Sequence, residues 1–199
     1  MSSMTNHKLG FDIDGVLADF DGAMQALALH VTGRNLFQDA GTRTLSSWSA
    51  SAKAFGYTRH EIDAVWTATK NPKFWAAIKP LPDTSILAEA LVDIGSLSDI
   101  YFITARQSDK QLTEAWLVTY LALYHPTVLC TTQKGLAAKA LGLTAFVDDK
   151  LEFALDVRLE SPTTRVYLVD RPYNAYAPID GIQRITSLSE MLDRELLLH

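Results

Sequence analysis

Five short apolar runs punctuate the chain: Leu9–Asp12, Ile100–Thr104, Thr127–Cys130, Ala145–Asp148 and Val166–Asp170. Runs this short and this uniformly apolar suit strands buried on both faces. Between them, apolar residues recur at helical spacing and predict helices over Asp83–Ile94, Asp109–Tyr124, Lys134–Leu141 and Leu151–Arg158. The segment Val16–His30 carries the same spacing directly after the first strand. Gly95 and Gly142 fit helix C-terminal stops, Ser108 fits a cap, and Ser187-x-x-Glu190 is a capping-box pattern opening a final helix. Strands alternating with helices predict an α/β fold, a doubly wound parallel sheet covered on both faces.

The stretch from Asp19 to Pro80 breaks this rhythm. It is too long for one crossover helix and offers no convincing strand. Thr58-x-x-Glu61 is a second capping-box pattern, opening a helix through Ile62, Val65 and Trp66. Aromatics are dense here: Phe20, Phe37, Trp48, Phe55, Tyr57, Trp66, Phe74 and Trp75. The pattern predicts a small helical cap at residues 19–80, inserted after the first strand of a core built from 1–18 and 81–199. Most of these rings are needed for the cap's own interior.

Composition adds limits. At 199 residues the chain is one domain, or one domain with a smaller insertion. The polar start Met1–Lys8 lacks the apolar region of a signal peptide, and no run reaches the roughly 18 residues that span a bilayer. The lone Cys130 has no partner for an internal disulfide. It reads as a buried structural thiol in a reducing cytoplasm. A net charge of −5 argues against broad binding to nucleic acid, which usually leaves a basic footprint. An anionic substrate therefore needs a local cation or a metal.

The most informative residues are Asp12-Ile13-Asp14-Gly15-Val16, at the end of the first strand. Two crowded carboxylates beside an apolar strand repel each other and gain nothing from burial, so a cation, a proton or a reaction must favour them there. Ligands of a doubly wound sheet bind beyond the carboxyl ends of the strands. The second strand delivers Thr104-Ala105-Arg106 to that edge, Lys134 follows the third, and the fourth delivers Asp148-Asp149. Taken singly each has an ordinary use: a solvated lysine, a strand-ending threonine, acids capping a helix. Taken together on strand ends, acid, hydroxyl, amine and acid suit a magnesium ion and a phosphate.

These four motifs, Asp12-x-Asp14-Gly15, Thr104, Lys134 and Asp148-Asp149, resemble those of the haloacid dehalogenase-like phosphohydrolases over nearly the whole chain. Their order separates the chain from receiver domains, whose acidic pair precedes the phosphorylated aspartate. A narrower resemblance, to the 5′(3′)-deoxyribonucleotidases, lies in Asp12-Ile-Asp-Gly-Val-Leu-Ala-Asp-Phe20, Phe74-Trp75 before Lys79-Pro80-Leu81-Pro82, Phe102-Ile-Thr-Ala-Arg106 and Val169-Asp-Arg-Pro-Tyr-Asn174. The family resemblance implies a helical cap after the first motif and dephosphorylation of nucleoside monophosphates.

By that resemblance Asp12 is the nucleophile, Asp14 the general acid and then base, and Thr104 and Lys134 hold the phosphoryl group. Mg²⁺ is expected on Asp12, the Asp14 carbonyl and Asp149, with Asp148 holding ligand waters or Lys134. Arg106, beside Ala105, is expected to help hold phosphate or cap. Phe20, Trp48, Trp66 and Phe74 are the candidates for stacking on a base. The partner is a small nucleoside monophosphate, with no stable nucleic-acid partner, no membrane and a homodimer left open. The alternatives are a phosphatase for another small ester or a nucleic-acid 3′-phosphate, and a non-catalytic Mg²⁺- or nucleotide-binding module. The Asp170–Asn174 segment is left without a mechanism.

Overall fold

The computed structural model describes residues 7–35, 45, 47–94, 98–106, 110–175 and 180–196. Phe37, Gly95, Ser108 and Asp109 lie outside them. Among the described residues a single sheet of six parallel strands runs in the order β3-β2-β1-β4-β5-β6. The strands are β1 (His7–Phe11), β2 (Ser98–Thr104), β3 (Thr127–Cys130), β4 (Ala145–Asp148), β5 (Arg165–Val169) and β6 (Ile182–Ile185). Register pairs Gly10 with both Tyr101 and Phe146, so β1 is central. The strand order reverses between β1 and β4, the switch point where an open α/β sheet leaves a crevice.

Alternation along the strands sorts two cores. Tyr167 and Val169 of β5 face the larger one with Leu9, Phe11, Phe102 and Val147. There they meet α5 (Pro82–Ile94), α6 (Lys110–Leu121) and α9 (Leu188–Leu196), through Leu87, Trp116 and Met191. Val166 and Leu168 face the other side with Ile103 and Phe146. They pack on α7 (Lys134–Leu141) and α8 (Leu151–Glu160) through Ala138, Ala154 and Val157. Helices therefore cover both faces, as expected for a parallel sheet.

Several expectations need correction. β6 was not foreseen: it is a four-residue edge strand whose middle, Gln183-Arg184, is polar. The first helix does not begin at Val16. Residues 15–17 form a turn, Asp19 caps Gly22 N–H at 2.9 Å, and α1 runs Phe20–Thr32. Glu190 does accept from the Ser187 backbone as the capping box requires, and it also takes the Thr186 backbone N–H at 2.9 Å and the Thr186 hydroxyl. Cys130 is exposed, because β3 is the sheet edge and residue 130 ends it. Gly142 does end α7, in the left-handed conformation. No helix among the described residues is long and apolar enough to cross a membrane.

Between β1 and α5 lie α1, α2 (Trp48–Ala54), α3 (Arg59–Ala68) and α4 (Pro72–Ala77). Met24, Ala28, Trp48, Tyr57, Ile62 and Val65 give these helices an interior of their own. The chain leaves and re-enters the sheet layer at one place. Ala18 bridges Pro80, Asp19 N–H donates to Lys79 O at 2.8 Å, and Leu81 N–H donates to Leu17 O at 2.7 Å. Thr84 adds its hydroxyl to Leu17 O at 2.6 Å.

The Thr58–Glu61 capping box is complete, and Arg34 reaches Glu61 at 2.7 Å. The Thr58 backbone N–H, followed by Arg34 and the Thr58 hydroxyl, holds the Glu61 carboxyl down at about 2. Thr58→Ala is expected to lower stability by about 1 kcal/mol in urea unfolding. It should also move the Glu61 titration, followed by NMR, up toward its ordinary value.

Candidate active site

The site begins with a buried ammonium. Lys134 is the first residue of α7 and is fully buried, with its Nζ 2.5 Å from Asp12 Oδ1 and 2.7 Å from Asp148 Oδ2. The rings of Phe153 and Phe146 lie 4.5 and 5.8 Å from Nζ and close off solvent. Helix α7 is pinned to α8 at the next residue. Gly135 N–H donates to Asp156 Oδ2 at 2.7 Å, and a Cβ on Gly135 would stand 2.4 Å from the Asp156 carbonyl oxygen. Only a glycine allows this approach, which sets the lysine's depth below the strand ends.

Asp12, Asp148 and Asp149 bring one carboxylate oxygen each within 4.8 Å of one another, all three residues buried. Burial pushes Asp12 up to about 6 against the pull of Lys134, with Asp149 and Asp14 adding repulsion. Burial likewise pushes Asp148 up to about 6, again opposed by Lys134. Burial alone would lower Lys134, but Asp12 and Asp148 carry it above the ordinary lysine value. Three carboxylates and one ammonium thus meet in one buried cluster. Clustered carboxylate oxygens of this kind suit a hard cation with oxygen ligands.

Asp14 faces differently. Arg106 holds it with both arms, Nε to Oδ2 at 2.9 Å and Nη2 to Oδ1 at 2.7 Å. The guanidinium is buried, 5.2 Å from the Trp75 ring centroid and 5.9 Å from that of Trp116. It thus spans α4, α6 and the acidic turn. Arg106 N–H donates to Thr104 Oγ1 at 3.2 Å, fixing that hydroxyl at the end of β2.

Gly15 has φ of +86°, and a Cβ there would lie 2.3 Å from Asp149 Oδ2 and 2.9 Å from the Tyr173 hydroxyl. The turn therefore needs glycine for both conformation and space.

Asp12 and Asp14 open into a cavity of about 680 Å³ together with Thr104, Ala105 and Arg106. Phe20, Trp66 and Trp75 line it, as do Lys70, Lys150 and Phe153. Phe20 stacks on Trp75 at 6.1 Å and leans on Trp66 at 6.3 Å. Two of the rings named as stacking candidates do not line this cavity. Trp48 is buried against Tyr57 and Trp66 and serves the helical interior. Phe74 packs between that interior and the main core, while its neighbour Trp75 turns to the cavity. Adjacent residues on a helix point about 100° apart, so the Phe74-Trp75 pair was visible but its phase was not. Lys70 and Lys150 carried no motif that singled them out. Lys134 itself lies beneath the cavity rather than on its wall.

A family model described as 5′ nucleotidase, deoxy (Pyrimidine), cytosolic type C protein matches residues 6–196. The chain belongs to this family. It is thus a nucleotidase-family phosphohydrolase with the haloacid dehalogenase-like fold. Comparison with curated proteins finds no match. Among solved structures, a HAD family hydrolase from Deinococcus radiodurans R1 with bound phosphate and sodium is similar at 13% identity. Its TM-score is 0.63, with 96% of each chain covered. A HAD-superfamily hydrolase of subfamily IA from Geobacter sulfurreducens PCA is similar at 16% identity and TM-score 0.59, over 95% of this chain and 96% of that one. A 2-haloacid dehalogenase from Pseudomonas syringae pv. Tomato DC3000 shares 14% identity at TM-score 0.57, over 98% and 100%. At such identities these three attest the fold alone.

Gly15→Ala is expected to destabilise the protein by more than about 1 kcal/mol, since the new Cβ meets both an unfavourable φ and the Asp149 carboxylate. Thermal unfolding checks this, and an unchanged Tm would contradict the close packing of Asp149 on the turn.

Proposed function

We propose that the protein is a Mg²⁺-dependent phosphomonoesterase that dephosphorylates (deoxy)ribonucleoside monophosphates through an aspartyl-phosphate on Asp12. The family's description supports pyrimidine deoxyribonucleotides as the first substrates to try, and a cytoplasmic setting. The observation that carries the reading is one cavity shared by Asp12, Asp14, Thr104 and Arg106 with the rings of Phe20, Trp66 and Trp75. A nucleotide has the same division, a charged end and a flat aromatic one. In this reading residues 19–80 are a cap over a core of 1–18 and 81–199.

The Asp12 carboxylate attacks phosphorus in line, and the bond from phosphorus to the ribose oxygen breaks. Asp14 supplies the proton that the leaving oxygen takes up. Asp14 then accepts a proton from the water that attacks the aspartyl-phosphate, freeing Asp12 and inorganic phosphate. Lys134, held by Asp12 and Asp148, offsets the charge that builds on the phosphoryl group. Groups of this kind contribute about 3–4 kcal/mol. Thr104, Ala105 and Arg106 hold phosphoryl oxygens, and Lys70 and Lys150 attract the anion. The rings stack on the base, at about 1–3 kcal/mol per base. Asp12, the Asp14 backbone carbonyl and Asp149 would hold Mg²⁺, with Asp148 tied to Lys134. The bound ion supplies charge neutralisation for the phosphoryl oxygens and keeps Asp12 ionised.

The test is phosphate release from ribo- and deoxyribonucleoside monophosphates, sugar phosphates and short 3′-phosphorylated oligonucleotides. Release from dUMP or dTMP that stops with EDTA and returns with Mg²⁺ is expected. Asp12→Asn should abolish it, and Asp14→Asn should lower kcat by about 10²–10⁴-fold. Release confined to sugar phosphates would overturn the nucleotide assignment. Normal turnover in Asp12→Asn would overturn the covalent route.

A further inference from the structure

The segment Asp170-Arg-Pro-Tyr-Asn174, after β5, has no role in the chemistry above, yet it is built into the site. Pro172–Asn174 form a single 3₁₀ turn, closed by Arg171 N–H donating to Asn174 Oδ1 at 3.0 Å. Arg184 of β6 ties the turn down through Asp170 and the Asn174 carbonyl. From this platform three side chains reach the acidic cluster. Arg171 Nε donates to Gly15 O at 2.9 Å, on the turn that carries Asp12 and Asp14. Asn174 Nδ2 donates to the Asp149 carbonyl oxygen at 2.7 Å and to Val169 O at 2.7 Å. The Tyr173 hydroxyl donates to Asp149 Oδ2. Tyr173 and Asn174 are both buried, so solvent does not compete for these bonds.

We propose that Tyr173 is a positioning residue that sets the rotation of the Asp149 carboxylate and thereby the affinity of the acidic cluster for its cation. A carboxylate turns about one bond. Fixing one oxygen on a buried hydroxyl fixes the direction of the other, while Asn174 holds the same residue's backbone. Gly15 stands against both partners, so the acidic turn, the carboxylate and the phenol are packed as one unit. Outer partners of this kind typically control metal affinity by 10–100-fold. The inference rests on the reading of Asp12, Asp148 and Asp149 as a Mg²⁺ site.

The test is Mg²⁺ binding by titration calorimetry, without substrate, on the full chain. Tyr173→Phe keeps the ring and removes only the hydroxyl, and circular dichroism checks that it folds. Its Kd for Mg²⁺ is expected to rise about 10–100-fold. The same substitution added to Asp149→Asn should change Kd no further, because its effect passes through Asp149. If Tyr173→Phe binds Mg²⁺ as the native chain does, with only its Tm lowered, the hydroxyl serves packing and the inference fails while the metal reading stands. An equal loss in the Asp149→Asn background would also overturn it. A native chain that binds no Mg²⁺ would remove the metal reading itself, and this inference with it. Should Tyr173→Phe not fold, Asn174→Ser tests the same platform and is expected to weaken Mg²⁺ binding. Unaltered binding there overturns the proposal.

Discussion

The structure turns on a cluster of charges buried at the switch point of the sheet. One ammonium, Lys134, lies between Asp12 from β1 and Asp148 from β4, with Asp149 beside them. Placing charges in an apolar interior costs several kcal/mol per ion unless each is paired. The fold answers by bringing them from three different elements into one contact, so none can be moved alone. Adjacent parallel strands deliver the acids, and the tight approach of Gly135 to α8 delivers the base. The rings of Phe146 and Phe153 pack against the buried lysine. Among the described residues this is where three carboxylate oxygens gather closely enough to share a cation.

Above the charged floor the inserted helices supply a different chemistry. Their aromatics are shared between two duties, and burial tells them apart. Trp48 and Tyr57 fill the helical interior, whereas Phe20, Trp66 and Trp75 face the cavity. Arg106 joins the two tiers. It grips Asp14 with both arms while lying against a ring from the insertion and a ring from the core. The orientation of Asp14 is therefore coupled to the seating of α4, one of the least buried helices of the insertion.

Much of this was legible in the chain because the sheet is parallel. Strands buried on both faces must be continuously apolar, and their carboxyl ends must carry whatever polar chemistry there is. Asp12, Thr104 and Asp148 announce themselves by that contrast. β6 was illegible for the complementary reason: as an edge strand it needs only Ile182 and Ile185 inward, and Gln183-Arg184 read as loop. Val16–Ala18 misled because its apolar residues do point inward, but from a turn that local spacing cannot distinguish from a helix. Cys130 misled because an apolar neighbourhood in sequence says nothing of whether a strand lies at an edge. Trp48 and Phe74 do not line the cavity, and the chain gave no sign of this because helical phase between neighbours is set by tertiary packing. Tyr173 and Asn174 are the hardest case. Their partner Asp149 is 24 and 25 residues away, and no local pattern links them.

The paired entry and exit of the helical insertion have a consequence for how such a protein changes over evolutionary time. Because Ala18 and Pro80 are bridged and Leu17 meets Leu81, the ends of the insertion are fixed to each other before a single helix of it is specified. Lengthening a loop whose ends are already joined costs only about 0.6 kcal/mol per doubling. The length of chain between those ends can therefore vary without a shift in the register of the sheet, provided that Trp75 still meets Arg106. Variation is thus confined to one stretch of chain, while the acids at the strand ends are anchored by the sheet.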